Sequence, residues 1–150
     1  MKPEDVIAGA ERLVKIYDGW PSFHDAEVLD VRLERLGRDE YDGPVVSLCF
    51  HLFWGEKSAE TDSGFHWTNH HRVTLRCRQV VDLELRGFNR QNAIYDFKIH
   101  ADGHHPEASG VPALRITLEP SFGIACTLRC TSVEVADIEP GPPPDTVYSD

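Results

Sequence analysis

The apolar positions along the chain change period once, and the change divides it. Over residues 3–17, Val6, Ile7, Ala10, Leu13, Val14 and Tyr17 recur at helical spacing, which predicts one amphipathic helix. Pro3 suits a first helical turn, and Glu4 and Asp5 complement the helix dipole there. Asp18-Gly19 closes this pattern, and Pro21 disfavours helical backbone at Trp20. Beyond Pro21 the period is two. Leu29, Val31 and Leu33 alternate with Asp30, Arg32 and Glu34, as in a strand with one wet face. The turn sequence DEYDGP precedes VVSLCFHLFW, apolar at nearly every position and therefore read as a central strand covered on both sides. GEKSAETDSGFHWTNHH is polar and rich in turn formers, which predicts a long loop or hairpin tip. The run RVTLRCRQVVDLELRGF reads as two strands, or one broken near Gln79. NAIYDFKI, PALRITLEP and GIACTLRCTSVEV supply further strands, with HADGHHPEASG as a loop among them.

One helix followed by about seven strands with short connections implies antiparallel pairing, because parallel neighbours need crossovers of about a dozen residues or more. The expected fold is α+β: an N-terminal helix packed on a mainly antiparallel, curved β-sheet or open sandwich. A single domain over residues 1–139 accommodates it, and residues 140–150, proline-rich and poor in apolar side chains, are expected to form a mobile acidic tail.

Composition narrows the function classes. The 150 residues suffice to bury a core without disulfides or a structural metal. No stretch approaches the roughly 20 apolar residues of a bilayer-spanning helix, and Glu4, Asp5, Glu11 and Arg12 interrupt the segment where a signal peptide would be apolar. The expectation is a cytoplasmic protein. Cys49, Cys77, Cys126 and Cys130 lie in strand-like segments without C-x-x-C spacing and read as buried apolar groups. Fifteen Lys and Arg against 25 Asp and Glu give a formal net charge of -10, a field that repels nucleic acid and anionic membranes and draws in a basic partner. After Arg129 come Glu134, Asp137, Glu139, Asp145 and Asp150, with no further Lys or Arg.

Eight histidines raise the question of metal. His70-His71 and His104-His105 are adjacent pairs, and neighbours in an extended chain point to opposite faces, so neither pair presents two ligands to one ion. His24-Asp25 matches the dipeptide of metal phosphohydrolases, yet a strand follows it here and no helical array supplies the remaining ligands. Nucleophile elbows, glycine-rich phosphate loops and dinucleotide fingerprints are missing from the sequence, and no cofactor is expected. The structural reading is that Trp20 and Phe23 bury rings where the chain turns from helix to strand, while His24 and Asp25 join a buried polar network. Asn89, Gln91 and Asn92 in GFNRQNAIYD are amides able to bridge backbone groups, and the two segments are expected to meet.

Taken together, WPSFHDAEVL, LELRGFNRQNAIYDFKI and EPSFGIACTLRC resemble the immunity protein 50 family of bacterial polymorphic toxin systems. The resemblance spans residues 19–135. It falls on Trp20, Phe23, His24, Asp25 and Glu27, then on Phe88, Asn89, Gln91 and Asn92, then on Ser121, Phe122, Gly123 and Cys130, which look like scaffold positions. Membership implies a non-catalytic protein that binds a cognate toxin, such as a nuclease with a basic surface, and blocks its active site. The alternatives are a small ligand-binding or interaction domain, or a metal-dependent hydrolase using His24 and Asp25. No nucleic-acid or membrane partner is expected, whereas the unpaired edges of an open sheet would allow a homodimer.

Overall fold

Gly9 breaks the N-terminal helical pattern in two. In the computed structural model, which describes residues 1–38 and 41–148, helix α1 (Pro3–Val6) gives way to a two-residue strand, β1 (Ile7–Ala8), before α2 (Ala10–Tyr17) begins. The expected single helix is therefore corrected. Gly9 adopts φ 80°, a left-handed backbone open to a residue without Cβ. The break lets Ile7 turn its side chain into the core while its backbone pairs with Val133. α2 then buries Ala10, Leu13 and Tyr17 against the sheet.

The remaining strands are β2 (Glu27–Glu34), β3 (Val45–Lys57), β4 (Phe65–Arg78), β5 (Val81–Arg86), β6 (Ala93–His104), β7 (Pro112–Phe122), β8 (Ala125–Cys130) and β9 (Ser132–Pro140). They form one nine-stranded sheet in the order β1-β9-β4-β3-β2-β6-β7-β8-β5, antiparallel except between β1 and β9. Two strands exceed the expected seven. One is β1. The other arises because GIACTLRCTSVEV does not stay in one ladder: β8 pairs with β7, and after Thr131 the chain crosses over so that β9 pairs with β4. The Thr131 N–H donates to Arg78 O at this crossing, at 3.1 Å.

The segment expected as a long loop or hairpin tip holds the tip of a hairpin longer than expected, and the second expected loop begins as strand. β3 and β4 continue to Lys57 and Phe65, so His66, His70 and His71 stand on β4, and β6 runs on to His104. Phe53 of β3 meets His70 of β4 at 6.0 Å and Phe65 stacks on Trp67 along β4, packing that the polar composition concealed.

Between β2 and β6 the sheet narrows to the single pair Glu27↔Ala93. There it folds over, bringing rings from distant strands together: Phe23 stacks on Phe97 of β6 at 4.8 Å and meets Phe50 of β3 edge-on at 5.1 Å. The buried apolar side chains of both halves form one continuous cluster. Residues 143–148, which the proline content marked as tail, lie back along β2 and β3, with Thr146 buried and Tyr148 stacked on Phe53 at 4.4 Å. A threonine with a buried acceptor within reach and a ring with an aromatic partner give this short segment the contacts its composition lacks.

Phe50 is fully buried between the two halves. Phe50→Ala is expected to lower stability by about 3–5 kcal/mol in chemical denaturation, the usual cost of removing a core ring.

Candidate functional site

The three motifs converge on the fold-over. Trp20 stacks on Phe23 at 5.6 Å, and the Asp25 N–H donates to Ile94 O at 2.9 Å. His24 Nδ1 lies 2.9 Å from Tyr95 O. The ring itself stays in solvent: the His24 and Asp25 side chains are 54% and 47% exposed, with Nε2 and Oδ2 3.6 Å apart. The expectation that this pair belongs to a buried network is thus corrected. Backbone pairing with β6 satisfies the corner, leaving the two side chains little to do inside it.

The buried polar centre is Asn92. Only 2% exposed and at φ 48°, it uses its side-chain carbonyl to accept from Asn89 N–H at 2.7 Å and Ile124 N–H at 3.2 Å. Its amide donates to Val28 O at 3.3 Å, and its own backbone O accepts from Val28 N–H at 3.0 Å. Asn89 Oδ1 in turn accepts from the N–H groups of Gln91 and Asn92, each at 2.9 Å. One pair of amides therefore joins β2, the loop before β6 and the turn before β8. Gly123, at φ 88°, is required beside them, since a Cβ there would lie 2.4 Å from Asn89 Oδ1 and 2.7 Å from Asn92 Oδ1. Phe88, Ser121 and Phe122 are exposed on the rim of this junction, whereas Cys130 is buried at the far end of β8, opposite Leu114, away from it.

A second polar group was not anticipated as a unit. Glu27 and His51 are opposed in the β2–β3 register, and His51 Nδ1 lies 2.6 Å from Glu27 Oε1 with both side chains buried. The Thr146 hydroxyl donates to the same carboxylate oxygen and sits 3.3 Å from the same ring nitrogen. On the far side, His51 Nε2 is 2.9 Å from His70 Nδ1, and His70 Nε2 is 3.0 Å from Trp67 O. Phe53, Tyr148 and Trp67 roof this row of polar groups. Burial and the negative charges of Asp25 and Glu27 push the Tyr148 phenol up to about 12. The sequence signal was present: a histidine inside the apolar run VVSLCFHLFW needs a buried partner.

These groups form a row, each handing its hydrogen bond to the next, and do not converge on a shared point. Among the described residues, no three His, Cys, Asp or Glu side chains are placed to hold a metal ion. His70 and His71 point apart as adjacent strand residues must, the second lying 3.2 Å from Tyr17 Oη. His105 braces its own loop, accepting from Glu107 and Ala108 N–H at Nδ1. Cys77 and Cys126 are poor nucleophiles: the hydrogen bond with Cys130 and burial raise the Cys77 thiol, and burial takes Cys126 up to about 11.

A family model described as Immunity protein 50 matches residues 9–141, most of the chain and all three motifs. The chain belongs to the immunity protein 50 family. No curated protein and no solved structure matches it. Within this immunity protein 50 chain, Asn92, Glu27 and His51 lie inside the matched span, while Thr146 and Tyr148 lie beyond it.

Asn92→Ala is expected to destabilise by about 2–4 kcal/mol in urea unfolding, because it leaves N–H groups unpaired away from water, whereas His24→Ala changes stability by less than about 1 kcal/mol. Tyr148 gives a pH signature. Its folded-state proton is held more tightly than the unfolded one, so its stabilising contribution is complete below the ordinary value of 10.0 and is lost as pH rises towards about 12. Urea midpoints should accordingly fall more steeply over this window in the wild type than in Tyr148→Phe.

Proposed function

We propose that this chain is a non-catalytic inhibitor that binds a cognate bacterial toxin in the cytoplasm and occludes its active site. The family match over residues 9–141 carries this reading. Its net charge of -10 supports a partner with a basic surface, as a nuclease must offer to its phosphate substrate. The polar groups at the fold-over act as scaffold in this account, tying strands together without turnover. Among the described residues, no helix is long and apolar enough to cross a membrane.

A second reading, a small-ligand-binding domain, has one observation in its favour. A cavity of about 490 Å³ opens between β2, β3 and β5, lined by Leu33, Val46, Val80, Val81 and Leu83 among others. Its lining would take an apolar molecule of modest size.

The inhibitor reading expects a toxin domain encoded beside this chain, and that domain separates the two. Mixed at low salt, the proteins are expected to co-elute in size exclusion as a complex that weakens as salt is raised, with toxin activity suppressed in proportion to complex formed. Separate elution at low salt, with the toxin still active, would sink the inhibitor.

A further inference from the structure

The flanking strands of the first half-sheet stop short of the β3–β4 hairpin's end. The β2 ladder finishes at Glu27↔His51 and the β9 ladder at His71↔Pro140. From Trp54↔Thr68 to Lys57↔Phe65, β3 and β4 pair only with each other among the described residues, so a two-stranded ribbon extends past the sheet. Such ribbons are marginal in water unless something else holds them. Here the root is clamped on both faces: Trp54 meets Tyr17 of α2 at 6.0 Å, and Trp67 meets Tyr148 at 5.6 Å. The tip is bonded within itself. Ser58 N–H donates to Gly64 O at 3.0 Å, Gly64 N–H to Thr61 O at 3.2 Å, and the Thr61 hydroxyl to Phe65 O at 2.6 Å.

What this braced ribbon displays is unusual for a free surface. Trp54 and Phe65 are 42% and 43% exposed, and Phe65 stacks on Trp67 at 6.1 Å with their rings 17° apart. Gly55 makes room for that stack, because even a Cβ at its position would already touch the indole at 3.4 Å. The ribbon carries three exposed carboxylates against the single ammonium of Lys57: Glu56 shares the face of Trp54, Glu60 and Asp62 lie in the tip, and Lys57 is paired with Phe65. Parallel rings on one face, with carboxylates at the tip and on the other face, supply the two chemical features of a nucleic-acid strand, stacked rings and spaced negative charge.

We propose that residues 53–70 form the arm with which this chain enters its partner, and that the partner presents a basic cleft built to bind single-stranded nucleic acid. The proposal rests on the inhibitor reading and specifies the surface and the substrate class of the toxin. Phe65 and Trp67 stack where bases would lie, and Glu56, Glu60 and Asp62 pair with the cationic groups that would hold phosphates. Internal bonding of the tip keeps the ordering cost of association low.

Binding of the neighbouring toxin domain is measured by calorimetry for the wild type, Phe65→Ala, the double variant Glu60→Lys/Asp62→Lys, and Asp137→Lys on β9 as a charge control. The arm variants should bind at least about tenfold more weakly, and the charge variant should show a shallower salt dependence, at unchanged melting temperature. Asp137→Lys should stay within about threefold of wild type, and a single-stranded oligonucleotide should compete with the wild-type chain for the toxin. Arm variants that bind as wild type does would overturn the arm while leaving the inhibitor intact. Failure of the oligonucleotide to compete would overturn the nucleic-acid cleft, and failure of the wild type to bind would remove the inhibitor and the arm together.

Discussion

The side-chain amide of Asn92 is the point on which two half-sheets agree. A sheet that narrows to one residue pair has almost no ladder left to define the angle between its halves. At that place the chain needs donors and acceptors pointing three ways at once, toward β2, toward its own loop and toward the turn before β8. An amide carries two donors and an acceptor with two lone pairs on a short, stiff stem, which fits the need better than any charged group of similar size. The aromatic contacts of Phe23, Phe50 and Phe97 supply cohesion across the fold, but they are tolerant of direction. Asn92 supplies the direction.

Glu27, His51 and Thr146 solve a different problem on the neighbouring strands. A carboxylate removed from water is costly unless its lone pairs are occupied, and here a ring nitrogen and a hydroxyl occupy them. Since the hydroxyl comes from the last part of the chain, burying Glu27 also fixes where residues 143–148 run. Tyr148 then roofs the group and buttresses the hairpin root through Trp67, so polar satisfaction in the core and exposure of the arm are mechanically joined.

How much of this was legible in the sequence depends on whether the governing interaction is local. The α2 pattern and the strand at β2 are set by nearest neighbours, and both elements appear, although Leu33, which the alternation turns inward with Leu29 and Val31, is exposed. The meeting of WPSFHD with GFNRQN was readable because uncommon polar residues at a strand break must bond something. By contrast, the pairing of His51 with Glu27 depends on strand register, which no spacing reveals. His24 and Asp25 drew attention by their chemistry, yet the backbone of β6 met the need that their side chains seemed suited to fill. The ribbon beyond Leu52 was hidden for a further reason: Gly, Ser, Asp and Asn are shared by loops and by tight hairpin ends, and only the strand pairing itself tells them apart. The aromatic and acidic residues of the arm were visible individually, but their arrangement depends on β3 and β4 staying paired past their neighbours.

The parallel pairing of β1 with β9 has a consequence for the order of events during synthesis. Ile7 and Ala8 find their partners far along the chain, at Val133 and Glu134. β4 also waits, since the strand that covers its open edge is β9. A nascent chain can assemble β6, β7, β8 and β5 as they emerge, but the half-sheet that carries the ribbon stays unfinished until residue 140 has left the ribosome tunnel. Until β9 has paired with β4, the β3–β4 ribbon therefore lacks part of the sheet that supports its root.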